Sequence, residues 1–222
     1  KPGDRVWYAG AINRPGTNSE FHVVDSRIAA LAPTSLSDSD AAALPLTAIT
    51  AWEMLFEKFR LQPGKQPSNL VLLVAGGAGG VGSILIQLAA RLTSATVIAL
   101  AGREESTEWV RQLGAHHVVD YRQPLKAQLN ELGIKEVTHI ASLTHTGHYF
   151  GQYLEVLAPF GEIALIDDPE GLDVNAMKRR SLSLHWEFMF ARSMHQTPDM
   201  IEQHRLLSYV ADQIDVGNIK TT

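Results

Sequence analysis

The chain has 222 residues, of which 45% are hydrophobic and 19% charged, a composition ordinary for a globular protein with one full domain and part of another. A net charge of −5 with scattered Lys and Arg gives no sign of a nucleic-acid surface, and no apolar run is long enough for a membrane span. The absence of cysteine excludes disulfides, thiolate zinc ligands and cysteine nucleophiles. Charge and hydropathy predict no nucleic-acid or membrane partner. The lack of cysteine leaves the compartment open, and a cytoplasmic location is the default expectation.

The first 60 residues predict a short β-rich region followed by helices. Strands are expected at 5–10 and 20–25, where β-branched and aromatic residues alternate with polar ones. Ser37 or Asp38 is the expected N-cap of a first helix, and apolar residues at helical spacing predict a second helix over 46–59. The chain starts without an initiator methionine, so we expect a piece of a longer protein.

From residue 70 onward the pattern alternates between strand and helix, which predicts a Rossmann-type doubly wound parallel sheet of the α/β class. Strands are expected at 70–75, 95–101, 116–119, 137–142 and 161–166. Helices are expected at 80–92, 105–113, 123–132 and 147–157. A further strand at 181–190 and a helix at 198–216 follow.

The stretch Val74–Gly82 lies between the first of these strands and its helix, and Gly77-x-Gly79-x-x-Gly82 fits the G-x-G-x-x-G pattern of dinucleotide-binding loops. Glycines permit the tight turn and let backbone N–H groups approach a pyrophosphate at the helix N-terminus. The alternative is a glycine-rich turn that binds nothing. We predict dinucleotide binding.

The end of the strand expected at 95–101 bears on the choice of cofactor. Arg103 follows the strand tip at once, and a guanidinium suits the 2′-phosphate of NADP(H). Glu104 or Glu105 could instead hold the ribose of NAD(H), although carboxylates also favour the first turn of a helix. We predict NADP(H).

Several segments together resemble the medium-chain dehydrogenase/reductase superfamily. They are Gly3–Val6, Ala41–Trp52, Ala78–Gly82 with Gln87, and Leu113–Tyr121. Within the superfamily they are similar to the quinone oxidoreductase (zeta-crystallin-like) branch, and the run from Asp167 to Met200 looks like its zinc-type alcohol dehydrogenase-like group.

The resemblance implies that residues 1–44 are a β-rich remnant of a GroES-like catalytic domain and that residues 45–222 form the dinucleotide-binding domain. It also implies that the loops at 143–144 and 166–167 approach the two halves of the cofactor. For Tyr121 the alternative is an exposed aromatic at a strand end. The implied cofactor-binding residues are Thr50, Gly79, Gly80, Val81, Gly82, Arg103, Tyr121 and Thr144.

The resemblance also bears on zinc, because zinc-dependent members use a cysteine four residues before the threonine that aligns with Thr50. That position is Leu46, which cannot bind a metal. His145 and His148 have helical spacing, but without a third ligand they are better interpreted as solvent-facing loop histidines. We therefore expect no bound zinc.

The function implied by the resemblance is zinc-independent, NADPH-dependent reduction of quinones or of the C=C bond of α,β-unsaturated carbonyls. The alternatives are a zinc-dependent alcohol dehydrogenase and a non-catalytic NADPH-binding or sensing protein. No catalytic residue is assigned, and Thr47 and Thr50 are nominated only for positioning.

The family also implies a homodimer in which the strand at 181–190 pairs across a two-fold axis. Such an apolar edge strand needs a partner. The alternative is an edge covered by the helix at 198–216.

Overall fold

The structure is a computed structural model that describes residues 1–66 and 68–221. It contains two compact units, one formed by residues 1–52 with those from 188 onward, the other by Glu53–Glu187. These units are defined by contacts. The predicted domains 1–44 and 45–222 follow a family resemblance, so that boundary stays a prediction.

The secondary structure alternates regularly over the middle of the chain. The strands are β1 (Val6–Trp7), β2 (Ala30–Leu31), β3 (Val71–Ala75), β4 (Thr96–Leu100), β5 (His117–Val119), β6 (Val137–Ser142), β7 (Leu157–Leu165) and β8 (Ser183–Trp186). The α-helices are α1 (Asp38–Ala42), α2 (Pro45–Trp52), α3 (Gly80–Leu92), α4 (Glu104–Gln112), α5 (Leu125–Glu131), α6 (Thr146–Val156), α7 (Ala191–His195) and α8 (Ile201–Asp215). A π-helical turn covers Glu53–Lys58, and 3-10 helices cover Ser26–Ile28 and Val174–Arg180.

The Glu53–Glu187 unit is built on one six-stranded parallel sheet with the strand order β5-β4-β3-β6-β7-β8. The order reverses direction at β3, which pairs with β4 on one side and β6 on the other. This topology confirms the predicted Rossmann-type α/β fold. In such sheets, ligands bind outside the carboxyl ends of the strands at this reversal.

The core of this unit explains why its strands read as continuous apolar runs. Leu73, Ile98, Ile140 and Ile163 come from four neighbouring strands, and each is completely buried. A parallel sheet carries helices on both faces, so its central strands have no solvated side.

The other unit holds a two-stranded antiparallel ladder, with Val6 opposite Leu31, and the long helix α8 packs on α2 and β2. At the end of α8 the Asp215 carboxylate accepts hydrogen bonds from the backbone N–H and hydroxyl groups of Thr34 and Ser35. These bonds hold the pKa of Asp215 well below its usual range. Asp215 thereby ties α8 to the segment before α1, where Ser37 is the N-cap, one of the two predicted choices.

Two predictions for the first 60 residues were wrong in part. Residues 20–25 do not form a strand, because Phe21 and Val23 are exposed and no backbone among the residues described pairs with them. The partner of β1 is instead Ala30–Leu31. The helix predicted over 46–59 begins at Pro45 and changes from α to π geometry at Glu53.

The strand predicted over 181–190 is also shorter than expected, since β8 ends at Trp186. The last ladder contact is the hydrogen bond from the Glu187 N–H to the carbonyl of Leu165, after which the Glu187 side chain is buried. β8 does lie at one edge of the sheet. Pairing of this edge with a second copy stays a prediction.

Phe160 in β7 carries backbone strain that can be tested. It has a φ of 64° and a side chain that is 77% exposed. The left-handed region costs a residue with a Cβ about 1–2 kcal/mol, and an exposed ring recovers little of it. We expect Phe160→Gly to raise the free energy of unfolding by about 1 kcal/mol in urea denaturation, after the entropy of glycine in the unfolded chain is subtracted.

Phe160→Ala is the matched control, because it removes the ring but keeps the Cβ. It should leave the stability close to that of the wild type. Equal stability of the alanine and glycine variants would contradict the assignment of strain to this residue.

Candidate functional site

A cavity of about 590 Å³ opens at the carboxyl ends of the strands, next to β3, where the strand order changes direction. Its wall is formed by the ends of β3 and β4, the loops after β5 and β6, and the first turns of α4 and α6, all within the Glu53–Glu187 unit. The lining residues are Ala75, Gly76, Ala78, Gly79, Leu100, Ala101, Arg103, Ser106, Tyr121, Thr144, His145, His148 and Tyr149.

The floor of this cavity is the glycine turn that precedes α3. Gly76 has a φ of 79°, and its carbonyl accepts a hydrogen bond from the Gly79 N–H at 3.0 Å. A Cβ on Gly82 would lie 2.4 Å from the Gly76 oxygen and 2.6 Å from the Gly77 Cα. The turn therefore closes against the helix only because position 82 has no side chain.

The helix α3 begins directly at this turn, with Gly79 as N-cap, a residue that has no side chain to cap the first N–H groups. The N–H groups of the first residues of an α-helix have no carbonyl partner within the helix, and the helix dipole places positive charge there. Gly80, Val81 and Gly82 supply these donors. A phosphate or another anion is the chemistry that such an end can bind.

Arg103 adds a positive charge to the same cavity. It is exposed at the N-cap of α4, and no carboxylate forms an ion pair with it among the residues that the structure describes. Glu104 and Glu105 occupy the first turn of α4, as predicted.

The acidic residue at the end of β5 does not compete for Arg103. The Asp120 carboxylate accepts hydrogen bonds from Arg122, at 2.9 Å to Nε and 2.7 Å to Nη2. These bonds lower the pKa of Asp120. The guanidinium of Arg103 is thus left available for a ligand.

Aromatic rings form the remaining wall. The Tyr121 ring lies against Gly102, where a Cβ would approach its Cε1 to 2.7 Å. On α6 the ring of Tyr149 meets that of His148 edge-on, with centroids 4.7 Å apart. Burial, helped by the nearby Tyr121 and Asp120, raises the pKa of Tyr149. The faces of these rings can stack a planar group.

The cavity brings together four of the predicted binding residues, Gly79, Arg103, Tyr121 and Thr144. Gly80, Val81 and Gly82 lie in the first turn of α3 and do not contribute to its lining. Thr50 belongs to the other compact unit, where it is buried and its hydroxyl donates to the Leu46 carbonyl at 2.9 Å. Its predicted role stays a prediction.

Sequence reasoning missed Ser106, His145, His148 and Tyr149 as lining residues. His145 and His148 are exposed, as expected, but His148 lies on α6 rather than in a loop. The available signal was positional. α6 starts at the carboxyl end of β6, so its first turn faces the same edge of the sheet as the glycine turn.

Within the described ranges, no cluster of three or more His, Cys, Asp or Glu side chains has a geometry that could hold a metal ion. None of the helices described is both long and apolar enough to cross a membrane.

A family model described as zinc-binding dehydrogenase matches residues 80–203. A zinc-type alcohol dehydrogenase-like protein of Staphylococcus aureus is 40% identical over 224 residues, covering all of this chain and 66% of the relative. The chain thus spans just under two thirds of the length of that relative.

Crystal structures of other proteins share the fold, among them the following two. One is a candidate zinc-dependent alcohol dehydrogenase protein of Rhizobium etli, with 48% identity and a TM-score of 0.93 over 100% of this chain and 65% of the other. The second is the Escherichia coli quinone oxidoreductase complexed with NADPH, with 25% identity and a TM-score of 0.81 over 98% of this chain and 65% of the other.

Proposed function

Since the chain belongs to the zinc-binding dehydrogenase family of the medium-chain dehydrogenase/reductase superfamily, we propose that it binds NADPH as the cofactor of an oxidoreductase reaction. The proposed substrates of the whole protein are quinones or the C=C bond of α,β-unsaturated carbonyls. The Escherichia coli quinone oxidoreductase, whose structure contains NADPH, supports this assignment.

The observation that carries the proposal is that the glycine turn and the guanidinium of Arg103 line the same cavity. The proposed pyrophosphate site is the first turn of α3, and Arg103 with Tyr121 would hold the 2′-phosphate. Thr144 and the aromatic wall would face the adenosine half.

When bound, the reduced nicotinamide would supply a hydride to an electron-poor carbon of the substrate. The protein's own task is then to orient the reactants and to donate hydrogen bonds to the developing enolate or phenolate. We propose Thr47 and Thr50 as positioning hydroxyls. In the structure these hydroxyls donate to the carbonyls of Leu44 and Leu46.

We further propose that this chemistry is independent of zinc. The zinc-dependent alternative is favoured by the description of the Rhizobium etli relative. It requires a ligand at position 46, where Leu46 offers only a hydrocarbon side chain.

Arg103→Ala tests the cofactor assignment. We expect the Kd for NADPH to rise about 10- to 100-fold, the value of a charge-assisted contact to phosphate, while the Kd for NADH changes less than threefold. Titration of the full chain by nucleotide fluorescence or calorimetry measures both constants.

Arg111→Ala is the matched control, because Arg111 is an exposed arginine on the same helix and lies outside the cavity lining. It should leave both constants unchanged. Equal weakening of NADPH and NADH by Arg103→Ala would contradict the assignment of NADPH.

A further inference from the structure

A chain of buried hydroxyl groups behind the cavity wall ends on the carboxylate of Asp167, in the loop after β7. The Thr146 hydroxyl is 2.5 Å from Asp167 Oδ1 and 2.7 Å from the Ser142 hydroxyl. The Ser142 hydroxyl is in turn 3.1 Å from that of Tyr153. Ser142, Thr146 and Tyr153 are completely buried.

An ionised carboxylate can only accept hydrogen bonds, and this sets the direction of the whole chain. Thr146 must donate to Asp167, so the Thr146 oxygen accepts a hydrogen bond from the Ser142 hydroxyl, and the Ser142 oxygen accepts one from the Tyr153 hydroxyl. Each group is used once, and burial raises the pKa of Tyr153 well above its usual range. The carboxylate is therefore the anchor of the network.

Asp167 also caps α6 from outside the helix. The N-cap residue, His145, makes no side-chain bond to the first turn, and the Thr146 N–H donates to Asp167 Oδ2 at 2.9 Å. His145 itself has a φ of 52°. A residue other than glycine adopts this backbone conformation only when its surroundings hold it there.

The turn that Asp167 holds is part of the cavity. Thr144 and His145 belong to the lining, and the Thr144 methyl group would lie 3.1 Å from a Cβ on Gly76. The turn therefore packs directly on the glycine turn. Asp167 is absent from the lining, and its carboxylate contacts the turn through the N–H and hydroxyl groups of Thr146.

We propose that Asp167 is a positioning residue of the dinucleotide site, which fixes the Thr144–His145 turn through Thr146 and keeps the cavity preformed in the absence of ligand. The inference rests on the proposed NADPH-binding function. It goes beyond it by assigning a role to a side chain that does not face the cavity.

The test compares Asp167→Ala, Thr146→Val and Thr146→Ser in the full chain, with NADPH and with 2′,5′-ADP, which represents the adenosine half alone. Binding is measured well below the unfolding temperature of each variant. We expect the alanine and valine variants to raise both Kd values at least tenfold. Thr146→Ser keeps the hydroxyl and should stay within about twofold of the wild type. Hydrogen exchange without ligand should show faster exchange over residues 144–149 in Asp167→Ala.

Asp173→Ala is the control for a merely structural effect. Asp173 caps the 3-10 helix Val174–Arg180 in the same unit through the N–H of Asn175 and is not a lining residue. It should lower the melting temperature without changing either Kd. If Asp167→Ala binds both ligands as the wild type does, the positioning role is rejected and NADPH binding stands. If the wild type binds neither ligand, the proposed function fails and the inference falls with it.

Discussion

Gly82→Ala is expected to abolish NADPH binding, with a loss of affinity of at least about 100-fold, and to lower the free energy of unfolding by about 3 kcal/mol. The added Cβ would lie 2.4 Å from the Gly76 oxygen and 2.6 Å from the Gly77 Cα, and both are backbone atoms of the glycine turn. Backbone atoms cannot rotate away as a side chain can, so the turn itself must open. Opening moves the first turn of α3 and its N–H donors.

Gly79→Ala is the matched control within the same motif. Its φ of −78° is accessible to alanine, and the new Cβ would have one contact, at 3.4 Å to the Gly76 oxygen. We expect its stability to remain within about 0.5 kcal/mol of the wild type, measured by urea denaturation. NADPH titration of Gly82→Ala completes the test, and wild-type affinity in that variant would refute the role given to the turn.

The parallel sheet and the glycine turn could be predicted because their signals are local in sequence. A buried parallel strand is an apolar run, and the turn between β3 and α3 needs glycine at particular positions. Both can therefore be predicted without knowledge of the rest of the chain. The bounds of α3 and β6 were predicted without error. Strand pairing is different, because the partner of β1 depends on which distant backbone lies beside it.

The parts of the site that could not be predicted depend on two or more separate segments. Arg103 is available because Arg122 binds Asp120. His148 and Tyr149 line the cavity because α6 starts at the same edge of the sheet as α3. The capping of α6 by Asp167 joins residues 21 positions apart, and neither partner lies in a motif.

Burial of charge is the property that the sequence predicts least well, and Glu187 illustrates it. Its carboxyl is completely buried, next to Glu53 and 3.4 Å from the Nζ of Lys58. Burial first, and then the neighbouring Glu53, raise the pKa of Glu187 to about 9, against the opposing effect of Lys58. Two acceptor-only carboxylates cannot bond each other, so a proton on Glu187 is what lets the pair coexist.

The raised pKa makes folding stability depend on pH in a stated direction. The folded protein holds this proton more tightly than the unfolded chain, whose carboxyl titrates near its ordinary value of 4.5. The stabilisation by this proton is fully present below that value and is lost as pH rises towards about 9. Between pH 4.5 and 7 the loss is about 3 kcal/mol.

Glu187→Gln should remove this dependence. The amide keeps a neutral donor that can bond Glu53, and it needs no proton from solvent. We expect the variant to match the wild type near pH 5 and to exceed its free energy of unfolding by about 3 kcal/mol at pH 7, with a larger gain at pH 9. Urea denaturation at the three pH values measures the difference.

Glu131→Gln, at an exposed position on α5, is the control and should show no gain at any of these pH values. The opposite result at position 187, a variant less stable than the wild type at pH 8, would mean that the carboxyl is ionised and that Lys58 stabilises it. The sign of the change therefore distinguishes a protonated carboxyl pair from a buried ion pair, because only the ion pair loses an attraction when the charge on Glu187 is removed.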